Sequence, residues 1–245
     1  MFAHEKLQVY GKALDFAAKA AAWTSTWDKR HALVDQLDRA AESVLSNLAE
    51  AARKQAAPGR LRTVDYAIGS SLECAACLDL ARIKELLMAG QCYQEKGLLC
   101  EVTKMLIGLR KAWADCGLQE EPPPLAAKAL SPLPPPLFHH ERLEVYQAAL
   151  GFMDWFVSKP GAKELSKRLI RQVDEAGTSV VLNIAEGNGR YAELDHHHFL
   201  QIAQSAAVKA AVCLDLAVKR GFWVESDAVS GKERLRQISA MLRGF

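Results

Sequence analysis

The apolar positions of this chain recur in steps of three and four residues, in eight separate stretches. Leu7, Tyr10, Leu14 and Ala17 form one stripe, and Leu33, Leu37, Ala40, Val44 and Leu48 a second. A third passes through Val64, Ala67, Ser71, Ala75 and Leu78, whose small residues allow close helix approach, and a fourth through Leu99, Val102, Met105, Leu106 and Leu109. Such steps hold apolar side chains on one face of a helix; a strand needs alternation, which no segment shows. The four stripes then return as Leu143, Tyr146, Leu150, Met153; Leu169, Val173, Ala176, Val180, Ile184; Leu200, Ala203, Ala207, Ala211, Leu214; and Leu235, Ile238, Met241, Leu242, Phe245. Four amphipathic helices with short connections predict an antiparallel four-helix bundle, so the fold class is all-α with two tandem bundles.

A shift of 136 residues lays 4–109 on 140–245 without a gap, and 30 of the 106 pairs are identical. His4-Glu5-x-Leu7-x-Val9-Tyr10 returns as His140-Glu141-x-Leu143-x-Val145-Tyr146, and Cys77 to Ala81 as Cys213 to Ala217. A period this long is a duplicated domain, not a solenoid repeat. Between the copies, seven of the nine prolines lie from Pro122 to Pro136. Proline fixes φ and lacks a donor, so this segment reads as a polyproline-like spacer. The boundaries are therefore 1–116 for the first bundle, 117–138 for the linker and 139–245 for the second bundle. About 20 residues at ~3.1 Å each could span roughly 60 Å.

Within copy two, Lys159-Pro160-Gly161 separates the first two helices, and Gly187-Asn188-Gly189 supplies glycine where a helix C-cap favours it. Copy one has Ala51-Ala52 there and breaks later, at Pro58-Gly59. Its second helix is expected to run about two turns longer. Its fourth helix continues to Trp113.

The net charge of +2 excludes a chain that is basic overall, so any nucleic-acid contact must come from a local patch or from assembly. The six cysteines show no disulfide-scaffold spacing. Cys74 and Cys77 lie inside a helical stripe without a second pair and read as small buried residues, so no metal is expected. No apolar run approaches the ~18 residues that span a bilayer. Met1 to Lys6 lacks the pattern of a signal segment. The expectation is a reduced, cytoplasmic protein with no membrane span and no cofactor.

The opening Leu-x-Val-Tyr, the approach Gln36-x-x-Arg39-Ala40-Ala41 with Gln172-x-x-x-Ala176, and Asn183-Ile184-Ala185-Glu186-Gly187, weaker as Asn47-Leu48-Ala49-Glu50-Ala51, carry a family resemblance. Phe199-Leu200-x-Ile202-Ala203 and Gly69-Ser70-Ser71-Leu72-Glu73 continue it. Nearly all of both copies resembles a bacterial family of small four-helix-bundle proteins. The family includes proteins encoded in intervening sequences of 23S ribosomal RNA genes, and the accessory variability determinants of diversity-generating retroelements. The resemblance implies bundles that self-associate into rings, and in the retroelement branch a nucleic-acid-binding partner of a reverse transcriptase. It implies no catalytic activity. This chain departs from it in being a tandem fusion, so a ring of five bundles cannot use every bundle of whole chains, and in its near-neutral charge.

Two constellations stand out as candidate chemistry. Asn47 with Glu50, and Asn183 with Glu186, sit one turn apart near the end of the second helix, where the helix dipole disfavours a carboxylate. Their recurrence predicts a specific hydrogen bond, read as a structural signature. Around the turn between second and third helices lie Arg53, Lys54, Arg60 and Arg62 in copy one, and Arg190, His196 and His198 in copy two. These form a candidate anion-binding edge for structured RNA. Three consecutive histidines on a helix point about 100° apart and cannot share one metal. Arg190 and His196 also match the Arg-x5-His spacing of HEPN-type ribonucleases, in which His handles protons and Arg stabilises phosphate. Copy one lacks that histidine, and Tyr191 replaces the polar residue usual there. Trp23, Trp27, Trp155, Phe222 and Trp223 are expected in core or bundle–bundle packing. The leading function is a non-enzymatic accessory scaffold that self-associates and binds a partner protein, RNA or both. The alternatives are the HEPN-like ribonuclease and a purely protein-binding module.

Overall fold

A computed structural model describes residues 2–54, 57–114 and 136–244, and every described regular element is helical. Copy one comprises α1 (Gln8–Thr24), α2 (Ala32–Arg53), α3 (Ala57–Ile83) and α4 (Ala89–Ala114). Copy two comprises α5 (Glu144–Ser158), α6 (Lys167–Asn188), α7 (Glu193–Lys219) and α8 (Glu225–Leu242). A one-turn 3-10 segment precedes each copy, His4–Lys6 and His139–Arg142. In each copy every helix packs against its neighbours in sequence, and the first against the fourth, giving two antiparallel four-helix bundles. Residues 117–135 of the linker lie outside the described residues. The end assigned to that linker, Leu137 and Phe138, belongs to the second bundle: Leu137 N–H donates to Glu141 Oε2 at 2.7 Å and Phe138 is buried.

Local chemistry sets the boundaries. Ser166 caps α6 by accepting from Leu169 N–H, and Asp227 Oδ2 accepts from Val224 N–H at the start of α8. Gly161 takes the left-handed turn after α5, with its carbonyl bonded to Trp223 Nε1 at 3.0 Å. The expectation that copy one has the longer second helix is wrong, because α2 and α6 each hold 22 residues. Pro58-Gly59 sits within the first turn of α3 instead of breaking the chain before it; proline is tolerated there because the first helical N–H groups have no intrahelical partner.

The two bundles do not stand apart. α3 packs on α6 and α5, α2 touches α6, and the larger apolar cluster runs through both copies, while a smaller one around Val9, Leu48, Val64 and Leu106 belongs to copy one alone. α3 is consequently buried on two sides. Val64, Ala67, Ala75 and Leu78 face their own bundle stripe, while Leu72, Ala76 and Leu80 are also buried, as a wall shared with copy two. The second to fourth stripes read from the sequence are the core stripes, apart from partly buried Met105, Leu109, Ala211 and Met241 and from Phe245, which lies outside the described residues. The first stripe divides between the copies. Tyr146, Leu150 and Met153 are buried, but Leu14 is exposed, and α1 fills its own bundle with Val9, Ala13, Phe16 and Ala20.

α7 meets the length and hydropathy of a membrane span over an 18-residue window of mean hydropathy 1.3, contrary to the reading that no segment does. Its apolar excess is partly spent in the bundle core, at Leu200, Ala203, Ala207, Ala210 and Leu214.

Candidate functional site

The junction between the bundles is built from paired charges. Lys84 reaches out of α3 to Asp174 of α6, which also accepts from Ala32 N–H at 3.3 Å. Lys96 of α4 binds Asp79 of α3 at 2.7 Å and Glu141 of copy two at 2.6 Å. Tyr146 O–H donates to the other oxygen of Asp79 at 2.9 Å. Burial works against the Lys96 charge, yet Asp79 and Glu141 raise its pKa above the usual lysine value. Burial holds His140, stacked on Phe138 and edge-on to Tyr146, down to about 3, with Lys96 adding to the effect, so this imidazole is neutral.

At the other end of the junction, Arg190 follows the last turn of α6. A Cβ on Gly189 would lie 2.9 Å from Gly69 Cα, so glycine at both positions lets α6 end against the α3 backbone. Gly189 has an ordinary helical φ, and close approach, not a left-handed cap, is what requires it. The chain then inserts the Arg190 guanidinium between the rings of Tyr66 and Phe199, 4.7 Å from each, paired with Glu186 one turn back. Its side chain is only 6% exposed, with Nε and Nη1 lacking hydrogen-bond partners and lying against those rings. Arg190 is therefore a junction residue and leaves the anion edge predicted for it. His196, its partner in the Arg-x5-His spacing, has Nδ1 bonded to the Gly187 carbonyl at 2.8 Å.

A polar cavity of about 370 Å³ opens where α2, α3 and α6 meet, lined by Arg39, Ser43, Ser70, Glu73, Asn183 and Glu186 among others. Burial pushes the Glu73 carboxyl up to about 8, reinforced by the neighbouring charge of Glu186, and burial also raises Glu186 despite Arg190. The two asparagines of the signature are spent locally: Asn47 donates to the Ser43 carbonyl at 2.8 Å and Asn183 to the Ser179 carbonyl at 2.7 Å. Their glutamates part company. Glu186 is in the junction, whereas Glu50 is exposed and pairs with Lys54 at 2.7 Å.

The other residues read as an edge differ in exposure and partners. Arg62 of copy one approaches Asp195 of copy two at 3.9 Å, which brings the starts of α3 and α7 together. Arg60 bonds the Ala51 carbonyl and stacks on Trp113 at 3.6 Å, while Lys54 also donates to Thr63 at 2.7 Å. Arg53 and His198 are exposed, and the Arg62 side chain is mostly so. Cys74 and Cys77 are wholly buried, with thiol pKa values driven well upward by that burial, and among the described residues no cluster of metal-binding side chains occurs. The residues missed from the sequence are Asp79, Lys84, Lys96, Glu141 and Asp174. A signal for them existed, because four of the five are identical in the other copy and Lys84 becomes Arg220.

Two fused helical bundles joined through a shared apolar cluster and a charged junction define the class: a tandem all-α bundle protein. The chain belongs to the 23S rRNA-intervening sequence protein family, whose sequence model matches residues 5–108 and again 141–244. Comparison with curated proteins and with solved structures gave no match.

Proposed function

We propose that the protein is a non-enzymatic cytoplasmic scaffold that self-associates through bundle surfaces and engages structured RNA, a partner protein or both. The observation that supports it is how the junction spends its chemistry. The groups that could have formed a catalytic cluster, Arg190, Glu186, Lys96 and Asp79, are held against one another inside the fold. What stays open to solvent is a binding edge of Arg53, Arg62 and His198, flanked by Arg60 and Lys54. A reverse transcriptase ribonucleoprotein is the partner that the family resemblance suggests. Light scattering and RNA binding at several salt concentrations test the reading. Phosphate contacts make affinity fall steeply with salt, and removing Arg53 and Arg62 together should lower the slope of log K against log salt by about 2. Salt-independent binding would remove the phosphate-binding edge, and no binding would remove RNA and leave a protein-binding module. RNA cleavage abolished by His196→Ala would overturn the non-enzymatic reading.

A further inference from the structure

The junction is heterologous: copy one contributes mainly its third and fourth helices, with a smaller contact from α2, and copy two its first and second with the preceding 3-10 turn. Both copies descend from one sequence, so the chain carries each of these faces a second time, unused. Copy two leaves the outer face of α7 and α8 open, and copy one leaves open its 3-10 turn with α1 and the side of α2 that carries Asp38. The exposures separate the used from the unused versions. Leu72 and Ala76 in the junction are 6% and 0% exposed, while their equivalents Val208 and Val212 on α7 are 55% and 51% exposed. Phe138 and Leu150 are 5% and 9% exposed, and their equivalents Phe2 and Leu14 are 72% and 50% exposed.

The polar groups that lock the junction are also present on both open faces. Lys232 already holds Asp215 at 2.6 Å, as Lys96 holds Asp79, but it has no counterpart of Glu141. That counterpart, Glu5, lies in the 3-10 turn before α1, followed by Tyr10, which matches the tyrosine that bonds Asp79. Lys84 and Asp174 correspond to exposed Arg220 and partly exposed Asp38. A cavity of about 590 Å³ between α7 and α8 contains Val208, Ala211, Lys232 and Leu235. Arg236 also lines it, and its equivalent on α4, Cys100, touches the Leu137 carbonyl beside Phe138. The Glu73–Glu186 repulsion is replaced by a complementary pair, since Lys209 and Glu50 occupy those positions. One contact is not repeated: Gly69 and Gly189 become Ser205 and Arg53, so that end of the interface must stand wider.

We propose that the α7/α8 face of one chain docks on the 3-10 turn, α1 and α2 of a second copy, with Arg220 meeting Asp38, Lys232 meeting Glu5 and Tyr10 meeting Asp215. This rests on the self-association in the proposed function and supplies its surface. A heterologous contact continues from chain to chain until it closes or runs on as a filament.

The test uses the full chain in sedimentation equilibrium. Arg220→Glu and Asp38→Lys should each weaken association at least ~10-fold, because like charges then face each other across the contact. Mixed one to one they should restore it, since every junction between alternating chains is again complementary. Val212→Asp should weaken association without rescue by either partner. Full association in all three variants, or failure of the mixture to recover while each variant keeps its helical circular dichroism, overturns this surface and leaves self-association elsewhere standing. A wild-type chain that stays monomeric at ~100 μM, well above ordinary micromolar affinities, overturns self-association itself.

Discussion

Glu73 shows what a single residue does when it is held between two bundles. Its folded-state pKa of about 8 lies above the value of 4.5 expected once unfolded. Between those values the native protein holds a proton that the unfolded chain has released, so stability must fall as pH rises through that window. Above about 8 both states are ionised and the fall ends. Glu73→Gln removes the titrating group while keeping its shape. Urea denaturation should show it more stable than wild type at pH 8 by on the order of 4 kcal/mol, with the difference shrinking toward pH 4.5. An unchanged pH profile would mean that the carboxyl is solvated. Nothing in the sequence separates Glu73 from the exposed glutamates of the chain, because its environment comes from a helix more than 100 residues away. Arg190 was misread for the same reason. A basic residue after a glycine pair looks like a surface residue until the partner backbone that the glycines admit is known.

At the scale of elements, helix identity was legible and helix surroundings were not. Periodicity placed all eight helices because the core side of each repeats every three to four residues. It could not show that α3 is buried twice over, since a helix apolar on two faces loses the amphipathic signature. The two repeats of the first-helix stripe have the same pattern, yet Leu150 is covered and Leu14 is open, a difference made by the neighbouring bundle. Two glycines give contrasting expectations here. Gly189→Ala would place a methyl 2.9 Å from the Gly69 backbone and force α3 and α6 apart, costing about 1–3 kcal/mol in denaturant unfolding. Gly97, inside α4, would meet nothing within 4 Å, so Gly97→Ala should stabilise by roughly 0.5–1 kcal/mol through helix propensity. Equal effects of the two substitutions would refute the close-approach account of Gly189.

For the molecule as a whole, the larger apolar cluster, which runs through both copies, predicts a single cooperative unit. Differential scanning calorimetry should give one transition with van't Hoff and calorimetric enthalpies in agreement. Two resolved transitions would mean that the bundles melt independently and that the junction contributes little. The fusion also fixes an arithmetic. Each covalent chain delivers its bundles in twos, joined by a junction that dilution cannot open. Any closed assembly that uses every bundle must therefore contain an even number of them, and on dilution it must shed them pairwise, never singly.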